Sequence, residues 1–130
     1  MKMTLNDALV LNDIVKALID NTELKINPIF KFKLLGIAKN LEVTVANYQM
    51  IREEKIREYG TESTDEEGNL TGSVEIKADD TESMEKFTKD MNEFIQSEIE
   101  VDIQKLKVRE VFNAGVPSDY LVRLFNIIEE

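Results

Sequence analysis

The sequence predicts an α+β fold that is mainly α: a long central helix packed by three shorter helices, with a small β-hairpin and a short strand. Three observations carry that class. Glycine and proline number only five and two, which argues against the many turns of an all-β fold. Apolar residues recur at spacings of three and four through stretches rich in Glu, Lys, Leu and Ile. The period drops to two in only a few short segments. With 130 residues, 42% of them hydrophobic, the chain reads as a single domain over 1–130 with one real core.

The first helix is expected from Thr4 to Asp20. Thr4 and Asp7 form a capping pair, with a carboxylate near the positive helix end. Ala8, Leu11, Val15 and Leu18 fall on one stripe, widened by Leu5, Leu9, Ile14 and Ile19. Asn27-Pro28 opens the second helix, since Asn is a favoured N-cap and Pro suits the first helical position. No further proline interrupts it before Tyr59, and Gly60 is placed to end it. Such a helix of about 30 residues would be roughly 45 Å long. Its stripe is Phe30, Leu34, Ile37, Leu41, Val45, Tyr48 and Ile51.

Residues 60–80 change character. Gly60, Gly68 and Gly72 cluster with Ser, Thr, Asn and carboxylates, so an acidic hairpin or loop excursion is expected there. Glu67-Gly68-Asn69 reads as its turn and Ser73–Lys77 as a strand. Asp79-Asp80-Thr81-Glu82 then starts a third helix whose buried stripe is Met84, Phe87, Met91 and Phe94. Ile99, Val101 and Ile103 alternate with Glu100 and Asp102, which predicts a strand. Leu106, Val108, Val111 and Phe112 make a second apolar patch. After the break at Gly115–Ser118, a closing helix should face inward through Leu121, Leu124, Phe125 and Ile128.

Composition narrows the chemistry. The chain has no cysteine and no histidine. Disulfides, thiolate nucleophiles and Cys-ligated zinc are therefore excluded, and so are Ser-His-Asp and Cys-His catalytic sites. No enzyme activity, catalytic residue, metal or cofactor is expected. Sixteen Lys and Arg against 26 Asp and Glu give a net charge of −10. That surface repels nucleic acid and anionic membrane, so neither is expected as a partner. The N-terminus runs directly into a polar amphipathic segment without a signal-peptide apolar region, which points to the cytoplasm.

The order of elements resembles a family of small bacteriophage-encoded proteins of uncharacterised function from phages of Gram-positive bacteria. The residues that carry the resemblance begin with Lys31-Phe32-Lys33-Leu34 and Ala38-Lys39-Asn40. They continue with Glu58-Tyr59-Gly60, the acidic Gly68-Asn69 excursion, a helix over Phe87–Ile95 and the Ile99–Ile103 alternation. The likeness is one of element order over nearly the whole chain, without a sharp motif. It implies a phage origin, the bacterial host cell as the setting, and no catalytic residues to carry over.

Three surface features compete for a role. Aligned on Gly68, the acidic turn puts Ser63, Asp65 and Glu67 at the first, third and fifth positions of a calcium loop. Its twelfth position is Val74 where a bidentate Glu is required, so the turn reads as a solvated one. A lysine window is more suggestive. No acid lies between Glu23 and Glu42, while Lys25, Lys31, Lys33 and Lys39 are all present near a helix N-terminus. A phosphate or nucleotide could be held there, although no Gly-rich phosphate loop accompanies it and lysine runs are commonly solvated faces. The third feature is the length of helix 2, which leaves Tyr48, Met50, Ile51 and Ile56 as an uncovered apolar surface rimmed by charge. That surface is the expected protein interface, including self-association as a homo-oligomer. The expected function is thus a non-enzymatic phage accessory protein acting through protein–protein contacts, in assembly or host interaction. Two alternatives stand beside it: an acidic inhibitor of a host nucleic-acid-binding or defence protein, and a small-anion binder through the lysine window.

Overall fold

In the computed structural model, residues Met1–Glu129 are described. The fold is α+β and mainly α, with five helices, one long central helix and short strands in two-stranded sheets. The order is β1 (Lys2–Thr4), α1 (Leu5–Asp20), α2 (Pro28–Tyr59), β2 (Thr61–Thr64), β3 (Leu70–Glu75) and α3 (Thr81–Ile95). It continues with β4 (Glu98–Glu100), β5 (Leu106–Lys107), α4 (Val108–Asn113), α5 (Ser118–Arg123), a 3₁₀ turn (Phe125–Ile127) and β6 (Ile128–Glu129). The chain divides into two compact units, one of 1–45 with 98–130 and one of 46–97.

In the first unit, Thr4 Oγ1 accepts from the Asp7 N–H at 3.1 Å and so starts α1. The inner stripe of α1 buries Leu5, Ala8, Leu11, Ile14, Val15 and Leu18. Asn27 Oδ1 caps α2 by accepting from the Ile29 N–H at 2.9 Å. From α2 this unit buries Phe30, Leu34, Ile37 and Leu41, four members of the expected stripe. Val101, Ile103, Leu106, Val111, Ala114, Leu124 and Ile127 complete the same cluster. β1 pairs antiparallel with β4, Lys2 opposite Glu100 and Thr4 opposite Glu98. β5 pairs parallel with β6, Leu106 opposite Ile128. Gly115 sits at φ +84°, and a Cβ there would stand 2.9 Å from the Lys25 carbonyl oxygen. Both features select glycine.

Three expectations are corrected within this unit. The strand expected over Ile99–Ile103 is Glu98–Glu100, because its partner β1 has only three residues before α1 begins. Val101 and Ile103 are buried all the same. The apolar patch at 106–112 contains a short helix, α4, which buries Val111 and turns Phe112 outward. The closing helix stops at Arg123, and the chain tightens into a 3₁₀ turn. Three residues per turn bring Leu124 and Ile127 inward together and rotate Phe125 into solvent.

In the second unit, the C-terminal part of α2 and α3 run antiparallel. Tyr48 stacks on Phe94 with ring centroids 6.1 Å apart, and the Arg52 guanidinium lies 6.0 Å over Phe87. Asp80 caps α3 by accepting from the Ser83 N–H at 3.2 Å. The expected hairpin is present as β2 and β3, paired antiparallel with an irregularity between Glu62 and Thr64. A Cβ at Gly60 would meet the Ile56 and Glu75 carbonyl oxygens at 2.4 and 2.8 Å, so only glycine lets α2 pass into the hairpin. Among the described residues of this unit, Met91 alone is buried.

Candidate functional site

The strongest surface feature lies in the first unit and follows from two short helices. At residues 108, 111 and 112 the α4 periodicity places Val108, Val111 and Phe112 on one side. Leu121 and Val122 of α5, with Phe125 and Ile128 beyond it, face them across a groove of about 230 Å³. Val111 is its buried floor, and Phe112, Val122 and Phe125 are each more than two-thirds exposed. Every lining side chain is apolar. The volume falls below the roughly 300–1,000 Å³ of small-molecule sites, and no polar group is present to orient a substrate. The groove suits an apolar anchor side chain of another polypeptide. Sequence periodicity assigns Phe125 to the interior and groups Phe112 in an apolar patch, so the groove between them is hidden from it.

The lysine window is not gathered into one site: Lys25 precedes α2, and Lys31, Lys33 and Lys39 lie along it. Lys31 and Lys33 are two residues apart on α2, about 200° around the axis, and so point to opposite sides. Lys33 is paired with Glu110, and that ammonium holds the Glu110 carboxyl below its usual range. A cleft of about 260 Å³ joins Lys33 and Glu110 to Arg109 and Asn27 at the start of α2. Arg109 was absent from the sequence-derived set, being distant in the chain. Lys25, Lys31 and Lys39 are exposed and do not line this cleft. The helix end offers few donors as well. Pro28 has no N–H, and Asn27 takes those of Ile29 and Lys31 through its side chain and its carbonyl.

Of the expected interface residues, Tyr48 is half-buried against Phe94, and Ile56 is also half-buried. Met50 and Ile51 are exposed. The charged end of α2 is organised around Asp90. The Tyr59 hydroxyl donates to Asp90 Oδ2 at 2.5 Å, and Lys55 Nζ stands 3.4 Å from the same oxygen and 2.9 Å from Glu58. The Tyr59 hydrogen bond, followed by Lys55, holds the Asp90 carboxyl below its ordinary value. The same bond raises the Tyr59 phenol, which opposes any use of it as a phenolate. Lys55 is raised, chiefly by Glu58. These groups are mutually satisfied, and the cluster holds α2 to α3.

In the acidic turn, Asp65 Oδ1 accepts from the Glu67 and Asn69 N–H groups at 2.9 Å each. This carboxylate is occupied in shaping its own turn. Among the described residues no cluster of three or more His, Cys, Asp or Glu could hold a metal ion, and no helix is long and apolar enough to cross a membrane. Comparisons with protein-family models, with curated proteins and with solved structures returned no match for this chain.

Proposed function

We propose that this protein works without catalysis, by contact with another polypeptide, as a bacteriophage accessory protein in assembly or host interaction. The observation that carries the reading is the all-apolar groove between α4 and α5, with Phe112, Val122 and Phe125 held out in solvent. Exposing three large apolar side chains around one concavity is costly for solubility and marks a contact surface. The anion-binding alternative is weaker, because Lys33 is matched by Glu110 and Lys25, Lys31 and Lys39 do not line its cleft.

A second reading is favoured by a separate observation. Residues 46–97 hold 14 Asp and Glu against six Lys and Arg, a net charge of −8 out of −10. That concentration suits occupation of a basic, nucleic-acid-binding surface on a host protein. Capture from host lysate with the immobilised protein separates the two readings when it is run with wild type and Phe125→Asp, at low and high salt. Contact through the groove predicts a captured protein that survives high salt and is lost with Phe125→Asp. The acidic reading predicts capture that survives Phe125→Asp and is lost at high salt, where charges are screened. Retention of no protein under any condition would contradict both.

A further inference from the structure

A further cleft of the first unit, of about 230 Å³, lies between residues 32–40 of α2 and the segment 104–106 that leads into β5. Ile37 and Leu106, both buried, form its floor. Phe32, Gly36 and Asn40 follow at intervals of four residues, so they share one side of the helix. One turn before Gly36, the Phe32 ring lines the cleft and is 77% exposed. One turn after it, Asn40 Nδ2 donates to the Asp102 carbonyl oxygen at 2.8 Å. That bond fixes the amide and leaves Asn40 Oδ1 to accept. At Gly36 itself, no group from the rest of the chain lies within 4 Å of where a Cβ would stand. Its backbone is that of ordinary helix, so neither packing nor conformation requires glycine there. Glycine is unfavourable in a helix interior, and what its presence does here is keep the cleft open between Phe32 and Asn40.

Polarity separates this cleft from the all-apolar groove. Gln104 and Lys105 supply its opposite wall, and no carboxylate side chain lines it, on a chain of net charge −10. Lys33 lines it as well but is matched by Glu110. Lys105 is exposed and forms no ion pair among the described residues, so it is the cation left for a ligand. We propose that this cleft binds a nucleoside monophosphate, with its base over Gly36 against the Phe32 ring and its phosphate at Lys105. Each part of that ligand answers to an observed group. A planar ring lies close to helix backbone only where no Cβ projects, and an exposed aromatic face stacks on any base. Asn40 Oδ1 accepts from a base amino group, while the Gln104 amide both donates and accepts. The Lys105 ammonium is a point charge suited to phosphate. The volume admits a ring and leaves sugar and phosphate at the rim, since whole small-molecule sites run to roughly 300–1,000 Å³. This cleft shares no lining residue with the groove of α4 and α5, and its failure would leave the proposed function standing.

Amide chemical-shift perturbation by NMR of the full chain, titrated with AMP, GMP, CMP and UMP at millimolar concentration, tests the assignment. At least one of the four should bind, with shifts centred on Gly36, Asn40, Gln104 and Lys105. The matching nucleoside, which lacks the phosphate, and ribose 5-phosphate, which lacks the base, should each bind at least about tenfold more weakly. Gly36→Leu fills the space beside Phe32 and should abolish binding. Leucine is the better helix former, so circular dichroism should show this variant folded at least as stably as wild type. Lys105→Glu should weaken the nucleotide at least about tenfold and leave the nucleoside unchanged. No binding by any of the four nucleotides, equal affinity for ribose 5-phosphate, or binding undiminished by either variant would overturn the proposal.

Discussion

The two units of the chain are built from opposite resources. The first, 1–45 with 98–130, buries a cluster of sixteen apolar side chains and carries 12 acids against 10 bases, a net charge of −2. The second, 46–97, buries Met91 alone among its described residues and carries −8. Stability in the first comes from apolar area removed from water, roughly 25 cal/mol per Å². The second rests on a half-buried seam of Tyr48, Phe87 and Phe94 and on surface links such as Tyr59–Asp90. Exposed ion pairs contribute little individually, so the acidic unit is the weaker of the two. Surface character differs in the same way: the apolar groove lies on the unit with the well-buried core, and the negative charge is concentrated in the thin unit.

The largest test of this contrast is truncation of one core residue in each unit. Leu34→Ala should cost about 3–5 kcal/mol, since it opens a cavity in a fully buried cluster. Met91→Ala should cost about 2 kcal/mol, because a residue with so few buried neighbours leaves a site that can collapse or fill with water. Urea denaturation of both variants checks the order, and equal losses would remove the distinction. Next in size is Gly115→Ala. It forces a left-handed backbone on alanine and a clash with the Lys25 carbonyl, and should cost about 1–2 kcal/mol or more by the same assay.

The smallest effect is the dependence on pH. Asp90 and Glu110 have folded-state pKa values below their ordinary ones, so their contribution is present above about pH 4, the unfolded carboxylate range. It is lost as pH falls through the folded values. Urea midpoints at pH 7 and pH 3 should show this loss. Asp90→Asn should reduce its size, while an undiminished pH response would show that Asp90 contributes nothing to it.

Much of this architecture was legible from periodicity and caps. Thr4, Asn27 and Asp80 each cap the helix they precede, and Phe30, Leu34, Ile37 and Leu41 are the buried stripe of α2. These signals are local, so a single stretch of sequence contains them. Segments decided by distant partners were read less well. β4 ends at Glu100 because β1 is short, and Phe125 turns outward because a 3₁₀ turn replaces the last helical turn. The groove depends on those same departures, since it needs Phe112 and Phe125 on the outside. The lysine window illustrates the converse. Of four lysines close in sequence, Lys25 precedes α2, Lys31 and Lys33 point to opposite sides of it, and Lys33 finds Glu110 seventy-seven residues away.

Hydrogen–deuterium exchange of the intact chain, read by mass spectrometry over its segments, tests the contrast between the units most directly. Slow exchange is expected in α1 and in residues 30–45 of α2, and exchange at least about tenfold faster in α3 and the β2–β3 hairpin, since local opening follows buried apolar contact. Equal protection across both units would contradict it, and would mean that the acidic unit is held by forces other than those described.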